Sequence, residues 1–173
     1  MLYALLYPRL APPDAAAVDR LRARFEPERA RLVRPHVTLV FGVTAVGEGD
    51  LAGLCRSAAA RQRPFALGLA GAEGFRDPVD GRHKVVLIVR EGAEEVTALH
   101  EALYAGPHRG SLRRDIPFRP HLTVATCDTA EEARDALAEA AKLAYPIGGD
   151  VDAVVLERLT DGELRTSGTF PFR

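Results

Sequence analysis

Residues 34–40 of this 173-residue chain read Arg-Pro-His-Val-Thr-Leu-Val, and residues 119–125 read Arg-Pro-His-Leu-Thr-Val-Ala. Four of the seven positions are identical, and the other three exchange one apolar residue for another. The two histidines, His36 and His121, stand 85 residues apart, close to half the chain. An internal repeat at this spacing restricts the fold to one assembled from two similar halves.

The flanks of the repeat match as well. Residues 2–7 (Leu-Tyr-Ala-Leu-Leu-Tyr) predict a strand, and 15–25 a helix with Val18, Leu21 and Phe25 on one face. In the second half, the apolar run 84–89 predicts a buried strand and 94–104 a helix with Val96, Leu99, Leu103 and Tyr104 in a stripe. After the first motif, Asp50 is expected to cap a helix reaching about Arg61, followed by a strand at 64–71. After the second, Thr129 and Glu132 fit a capping box that opens a helix to about Leu143. Strands are expected at about 144–148 and 151–159, with a last one at 163–171 after the Asp-Gly turn at 161–162. Each half reads strand, helix, motif strand, helix, strand. The expectation is a single α+β domain over 1–173, made of two lobes related by a pseudo-two-fold axis.

Composition narrows the function. The formal charge of −1 gives no general attraction to a nucleic-acid backbone, which argues against a protein that coats long RNA or DNA and leaves a local basic cleft open. Of the 23 basic residues only Lys84 and Lys142 are lysine, so the arginine excess reads as compositional bias and any one arginine is weak evidence of a role. Two cysteines, Cys55 and Cys127, build no disulfide framework. The apolar N-terminus is too short for a signal peptide, and no apolar run approaches a membrane span. The expectation is a monomer in a reducing cytoplasm, with no membrane role.

Alternation along a strand puts His36 and Thr38 on one face and Val37 and Leu39 on the other; His121 and Thr123 stand likewise against Leu122 and Val124. Pro35 and Pro120 fall at strand entry, where a missing amide donor is tolerated, and hold Arg34 and Arg119 extended. Two-fold symmetry would set the His-Thr pairs across a groove from one another. In-line displacement at phosphorus needs a base for the attacking water and an acid for the leaving oxygen, and histidine serves both near neutral pH. The threonine hydroxyls can hold the non-bridging oxygens. No carboxylate or cysteine recurs near either histidine in a metal-ligand pattern, and residues 42–50 lack the Lys-Ser/Thr of a P-loop, so no metal or other cofactor is expected and an ATP-dependent ligase is disfavoured.

His-Val-Thr-Leu at 36–39 and His-Leu-Thr-Val at 121–124 resemble the paired signature of the two-histidine (2H) phosphoesterase superfamily. Nearly the whole chain is similar to its 2′-5′ RNA ligase-like and RNA 2′,3′-cyclic phosphodiesterase branch. The resemblance implies antiparallel sheets lining a central groove with helices outside, and a metal-free site with His36, Thr38, His121 and Thr123 as catalytic residues. It implies a small cyclic phosphate, a nucleotide or an RNA 3′ end as substrate, opened to a 2′-phosphate. Many ligase-like members carry arginine five residues after the second histidine, where this chain has Thr126. Arg34, Arg82, Arg113, Arg114 and Arg119 are candidates to supply that charge. ATP-independent 2′-5′ joining of RNA, or silent binding of a nucleotide or phosphate, are the alternatives to hydrolysis.

Outside the motifs, Arg82, His83 and Lys84 form a basic cluster that could reach a phosphate or ribose, and Arg119 joins Arg82 and His83 as a substrate-binding candidate. The basic segment 108–120 is a candidate flap. His100 reads as structural, His108 as exposed, and the alternation of Arg20, Arg22 and Arg24 with Asp19 and Glu26 as a solvated face.

Overall fold

The computed structural model describes residues 1–173 except Pro107, Arg113 and Arg114. Its elements run β1 (Leu2–Leu6), β2 (Arg9–Leu10), α1 (Pro12–Phe25), α2 (Pro27–Leu32), β3 (Val37–Val43), α3 (Glu48–Ala59), β4 (Phe65–Arg76) and β5 (His83–Glu91). They continue with α4 (Ala93–Tyr104), β6 (His121–Cys127), α5 (Ala130–Ala140), β7 (Ile147–Val151), β8 (Ala153–Thr160) and β9 (Glu163–Pro171). The expected order of strands and helices holds, with β2 and α2 as short additions. Thr129 and Glu132 form the reciprocal capping box, and Asp161 and Gly162 turn β8 into β9 with φ of 52° and 78°. The first-half helix starts earlier than expected: its N-cap is Gly47, and Asp50 lies inside its first turn. Among the described residues no helix is long and apolar enough to cross a membrane.

The strands pair antiparallel in the order β2-β7-β4-β5-β6-β3-β1-β8-β9. The two sheets expected from the repeat are thus the two ends of one sheet, joined where β3 meets β6 at the register pair Val37↔Leu122. Each lobe borrows from the other half of the chain. β4 follows the first motif yet pairs with β5, while β8 follows the second motif yet pairs with β1. Helices cross over too: α1 packs on the second motif strand β6, and α4 on the first motif strand β3. Order along the chain therefore does repeat by half, but each half completes its sheet with a strand from the other.

The strand faces turned to the helices make the core, with Leu6, Val37, Leu39, Leu87, Leu122 and Val124 packed against Val18, Leu51, Val96, Leu103 and Ala136. Both motif strands carry a bulge at the same place. Leu5↔Thr38 is followed by Ala4↔Val40, and Val86↔Thr123 by Val85↔Ala125. Leu39 and Val40 consequently both enter the core, as do Val124 and Ala125. A simple alternation is broken there, and Phe41 and Thr126, each five residues after a motif histidine, return to the face that carries the histidines.

The sheet opens on either side of the Val37–Leu122 pair, and a helix end enters each opening. On one side His100 Nδ1 donates to the Leu39 carbonyl at 2.7 Å, the Phe41 amide donates to the Tyr104 hydroxyl at 3.4 Å, and the Phe118 ring stacks on His100 at 3.7 Å. These partners satisfy β3 backbone groups that lack a strand neighbour. On the other side the end of α1 inserts Arg22 and Glu26, which are 2% and 4% exposed. The Arg22 Nε donates to Glu26 Oε1 at 2.6 Å, and the Thr126 hydroxyl donates to Glu26 Oε2 at 3.1 Å.

Two expectations are corrected here. Arg22 and Glu26 are not on a solvated face, because the end of α1 reaches into the opening beside β6. His108 is 2% exposed, its ring against Tyr104 at 5.1 Å, because the chain beyond α4 folds back on that helix. The rest of the 108–120 segment packs Leu112 and Phe118 on the core; Arg113 and Arg114 lie outside the described residues.

A buried ion pair that loses one partner leaves an uncompensated charge. Glu26→Ala is expected to cost about 3–5 kcal/mol of stability, read as a fall in the urea midpoint. A loss below about 1 kcal/mol, the scale of an exposed pair, would contradict the role given to this contact.

Candidate active site

The Val37↔Leu122 pair sets the geometry of both motifs. In an antiparallel ladder, the register fixed by that pair sets His36 opposite Thr123 and Thr38 opposite His121. Val37 and Leu122 are fully buried beneath the helices, so all four polar side chains stand on the opposite face. Each histidine thereby faces the other lobe's threonine, and the two histidines lie on a diagonal, at backbone separations of roughly 7–8 Å in such ladders. Leu5 in register with Thr38, and Val86 and Ile88 in register with Thr123 and His121, make a dry floor around them.

The two imidazoles are held in the same way. His36 Nδ1 donates to the Arg34 carbonyl at 2.8 Å, and His121 Nδ1 to the Arg119 carbonyl at 2.7 Å. A carbonyl only accepts, so the proton of each neutral ring resides on Nδ1, and Nε2 is left to exchange a proton with a substrate. The Arg-Pro-His sequence makes this possible. Proline holds the preceding arginine extended, and its carbonyl then lies within reach of the histidine two residues on. One ring stands at the edge of each imidazole, Tyr7 against His36 at 6.1 Å and Phe75 against His121 at 6.4 Å.

Burial in the groove floor lowers the proton affinity of both rings. His36 falls to about 4, desolvation being the main cause, while the bond to Arg34 opposes it and the charges of Arg22 and Arg29 add to it. His121 falls as well, again chiefly through desolvation, with Arg119 adding to the fall and Asp77 opposing it. Both imidazoles are therefore neutral at pH 7 in the unliganded protein. Arginine charges bear on both rings, Arg22 and Arg29 on His36 and Arg119 on His121, and at His121 the Asp77 carboxylate opposes part of the effect.

The other candidates are placed differently. Arg119 lies beside His121 through its carbonyl, and its guanidinium pairs with Glu73 at 2.8 Å. The Arg34 guanidinium lies 4.3 Å over the Tyr7 ring, whose hydroxyl donates to Glu157 at 3.1 Å. Arg82 and His83 sit at the far end of β5, where His83 pairs with Cys127, six residues along β6 from His121. That is roughly 20 Å of strand. Arg82 pairs with Asp128, just past β6, at 2.8 Å and Lys84 with Asp80 in its own turn at 2.7 Å, so these two cations are held away from the histidines. Sequence reasoning missed Tyr7, Arg22, Arg29, Phe41 and Phe75. Phe41 alone had a signal, since it occupies in the first repeat the position of Thr126 in the second. Among the described residues no three or more His, Cys, Asp or Glu side chains gather as a metal site.

Comparison with known proteins agrees with this geometry. Residues 10–163 match the model of the 2'-5' RNA ligase superfamily. A protein of Bacillus pumilus (strain SAFR-032) named "Putative phosphoesterase" is 32% identical over 135 residues, 77% of this chain and 74% of that protein. Among solved structures, TT0787 of Thermus thermophilus superposes with a TM-score of 0.67 at 22% identity, over 99% of this chain and 97% of that one. E. coli LigT complexed with 3'-AMP gives 0.64 at 22% identity, with 99% and 97% covered. Usb1 of Kluyveromyces marxianus gives 0.62 at 10% identity over the same shares, a likeness of fold. A family match over most of the chain, on a fold that brings the repeated His-Thr pairs together, establishes that this protein belongs to the 2'-5' RNA ligase superfamily of 2H phosphoesterases.

Proposed function

We propose that the protein hydrolyses 2′,3′-cyclic phosphodiesters of nucleotides or RNA ends to 2′-phosphates, by paired-histidine acid–base catalysis without a metal ion. The observation that carries this reading is the common anchoring of His36 and His121 through Nδ1, with both rings on one face beside Thr38 and Thr123. The name of the Bacillus pumilus relative and the 3'-AMP and phosphate complexes of E. coli LigT are in keeping with it.

In the proposed reaction a water oxygen bonds to phosphorus while His36 Nε2 takes the water proton. The bond from phosphorus to O3′ breaks, and His121 Nε2–H gives its proton to that oxygen. Thr38 and Thr123 donate hydroxyl hydrogens to the non-bridging oxygens. Solvent then restores the starting protonation. Burial, with the charges of Arg22 and Arg29 adding to it, keeps His36 neutral and fit to be the base. At His121 the Asp77 carboxylate opposes part of the fall that burial and Arg119 impose, and a bound phosphate anion favours the charged ring further.

Replacement of either histidine by alanine is expected to lower kcat on nucleoside 2′,3′-cyclic monophosphates about 10²- to 10⁴-fold. The assay contains EDTA, and circular dichroism checks that the fold is unchanged. Near-normal turnover in either variant would overturn the mechanism, and loss of wild-type turnover in EDTA would overturn its metal independence.

The depressed affinities also set the pH dependence. The base must be unprotonated and the acid protonated in the free enzyme, so the two limbs of kcat/KM are set by His36, at about 4, and His121, below 6.5. The expected profile is a bell with its maximum on the acid side of 6.5. A maximum on the alkaline side would contradict it.

A further inference from the structure

One residue joins α1 to α2. Glu26 caps the end of the first helix and the start of the second, and Pro27 opens the second with its fixed backbone angle. Burial of the Glu26 side chain beside β6 therefore sets where α2 begins, and with it the place of Arg29 in that short helix. Both oxygens of Glu26 already accept a hydrogen bond, Oε1 from the Arg22 Nε and Oε2 from the Thr126 hydroxyl. The Arg29 Nε lies 3.8 Å from Oε2, beyond hydrogen-bond distance, and its side chain is 44% exposed. Among the described residues the Arg29 guanidinium makes no hydrogen bond. Arg22, Glu26 and Arg29 thus set two guanidinium charges against one carboxylate, and the excess positive charge sits on the more exposed arginine. Arg29 lines one cleft with His36 and Thr38, among the apolar side chains of Leu5, Leu32 and Val33. The other arginines of the site are engaged: Arg22 is buried against Glu26, Arg119 pairs with Glu73, and Arg34 lies over the Tyr7 ring.

Resting on the phosphodiester reading of the site, we propose that Arg29 is a substrate-binding residue, its guanidinium donating to the non-bridging oxygens of a phosphate held at His36 and Thr38. A guanidinium presents paired N–H donors that match phosphate oxygens, and these donors are unused in the free protein. The bound anion offsets the excess charge of the Arg22–Glu26–Arg29 group. Apolar walls beside the cation lower the local dielectric and strengthen the contact. The charge of Arg29 already reaches the His36 ring, where it adds to the fall in proton affinity. The buried carboxylate has a second purpose in this arrangement, since Glu26 positions the helix that carries the anion-binding cation.

Titration with inorganic phosphate at fixed ionic strength, followed through the nitrogen-15 resonances of the His36 ring, tests this in wild type, Arg29→Ala, Arg29→Lys and Arg9→Ala. Arg9 lies on the edge strand β2 in an exposed pair with Asp152, so its removal takes the same charge from the protein outside the groove. Arg29→Ala is expected to weaken phosphate binding about 10- to 100-fold, the range for a hydrogen bond to a charged group. Arg29→Lys is expected to recover part of that loss, and Arg9→Ala to bind as wild type does. An undiminished affinity in Arg29→Ala, an equal loss in Arg9→Ala, or no phosphate binding by wild type would overturn the assignment. Binding requires no turnover. Arg29-dependent binding in a protein that opens no cyclic phosphate would sink the catalytic reading and leave this one standing, whereas turnover with phosphate affinity indifferent to Arg29 would do the reverse.

Discussion

Val37 and Leu122 are the residue pair through which the two lobes' sheets join. Their side chains are fully buried on the helix side. Burial of two branched apolar side chains contributes about 1.5–3 kcal/mol each, and the pleat then leaves His36, Thr38, His121 and Thr123 no face but the other. Register matters as much as burial. A slip of one residue at this junction would send the histidines into the core and bring Val37 or Leu122 to the groove. Helix ends enter the openings on either side: His100 and Tyr104 supply partners to β3 backbone groups, and Glu26, paired with Arg22, accepts from the Thr126 hydroxyl on β6.

On this frame the site combines sameness and difference. The Arg-Pro-His segments give both imidazoles the same tautomer and aim both Nε2 atoms away from the backbone. The difference comes from outside the repeat: Arg22 and Arg29 act on His36, and the Asp77 carboxylate opposes part of the fall at His121. The proposed reaction uses both features, since its two proton transfers run in opposite directions. Phe41 and Thr126 add a second asymmetry on the same strands, open and apolar in one lobe, closed and hydrogen-bonded in the other.

Much of this was legible in the chain. The repeat announced two similar lobes, the alternation of His-x-Thr with apolar neighbours gave the face of the site, and the Thr129–Glu132 spacing gave a cap that the structure reproduces. What escaped depends on contacts between distant segments. Arg22 and Glu26 look solvated because local charge alternation says nothing of an opening in a sheet built from residues a hundred positions later. Bulges at Leu39 and Val124 break the period-two pattern and hide the return of Phe41. The crossing of β4 and β8 to the opposite lobes follows from register, which no half-chain reading contains. The basic run Arg82-His83-Lys84 shows the converse: Asp128 pairs with Arg82 and Asp80 with Lys84, contacts that a run of basic residues does not announce.

The account depends on both histidines belonging to one phosphate site with the same tautomer. Nitrogen-15 NMR of the histidine rings, recorded with and without adenosine 2′-monophosphate, reads this directly. The account predicts that His36 and His121 are both neutral and protonated on Nδ1 in the free protein at pH 7, and that the nucleotide shifts both Nε2 resonances together. A ring found protonated on Nε2 in the free protein, or a response confined to one histidine, would contradict it.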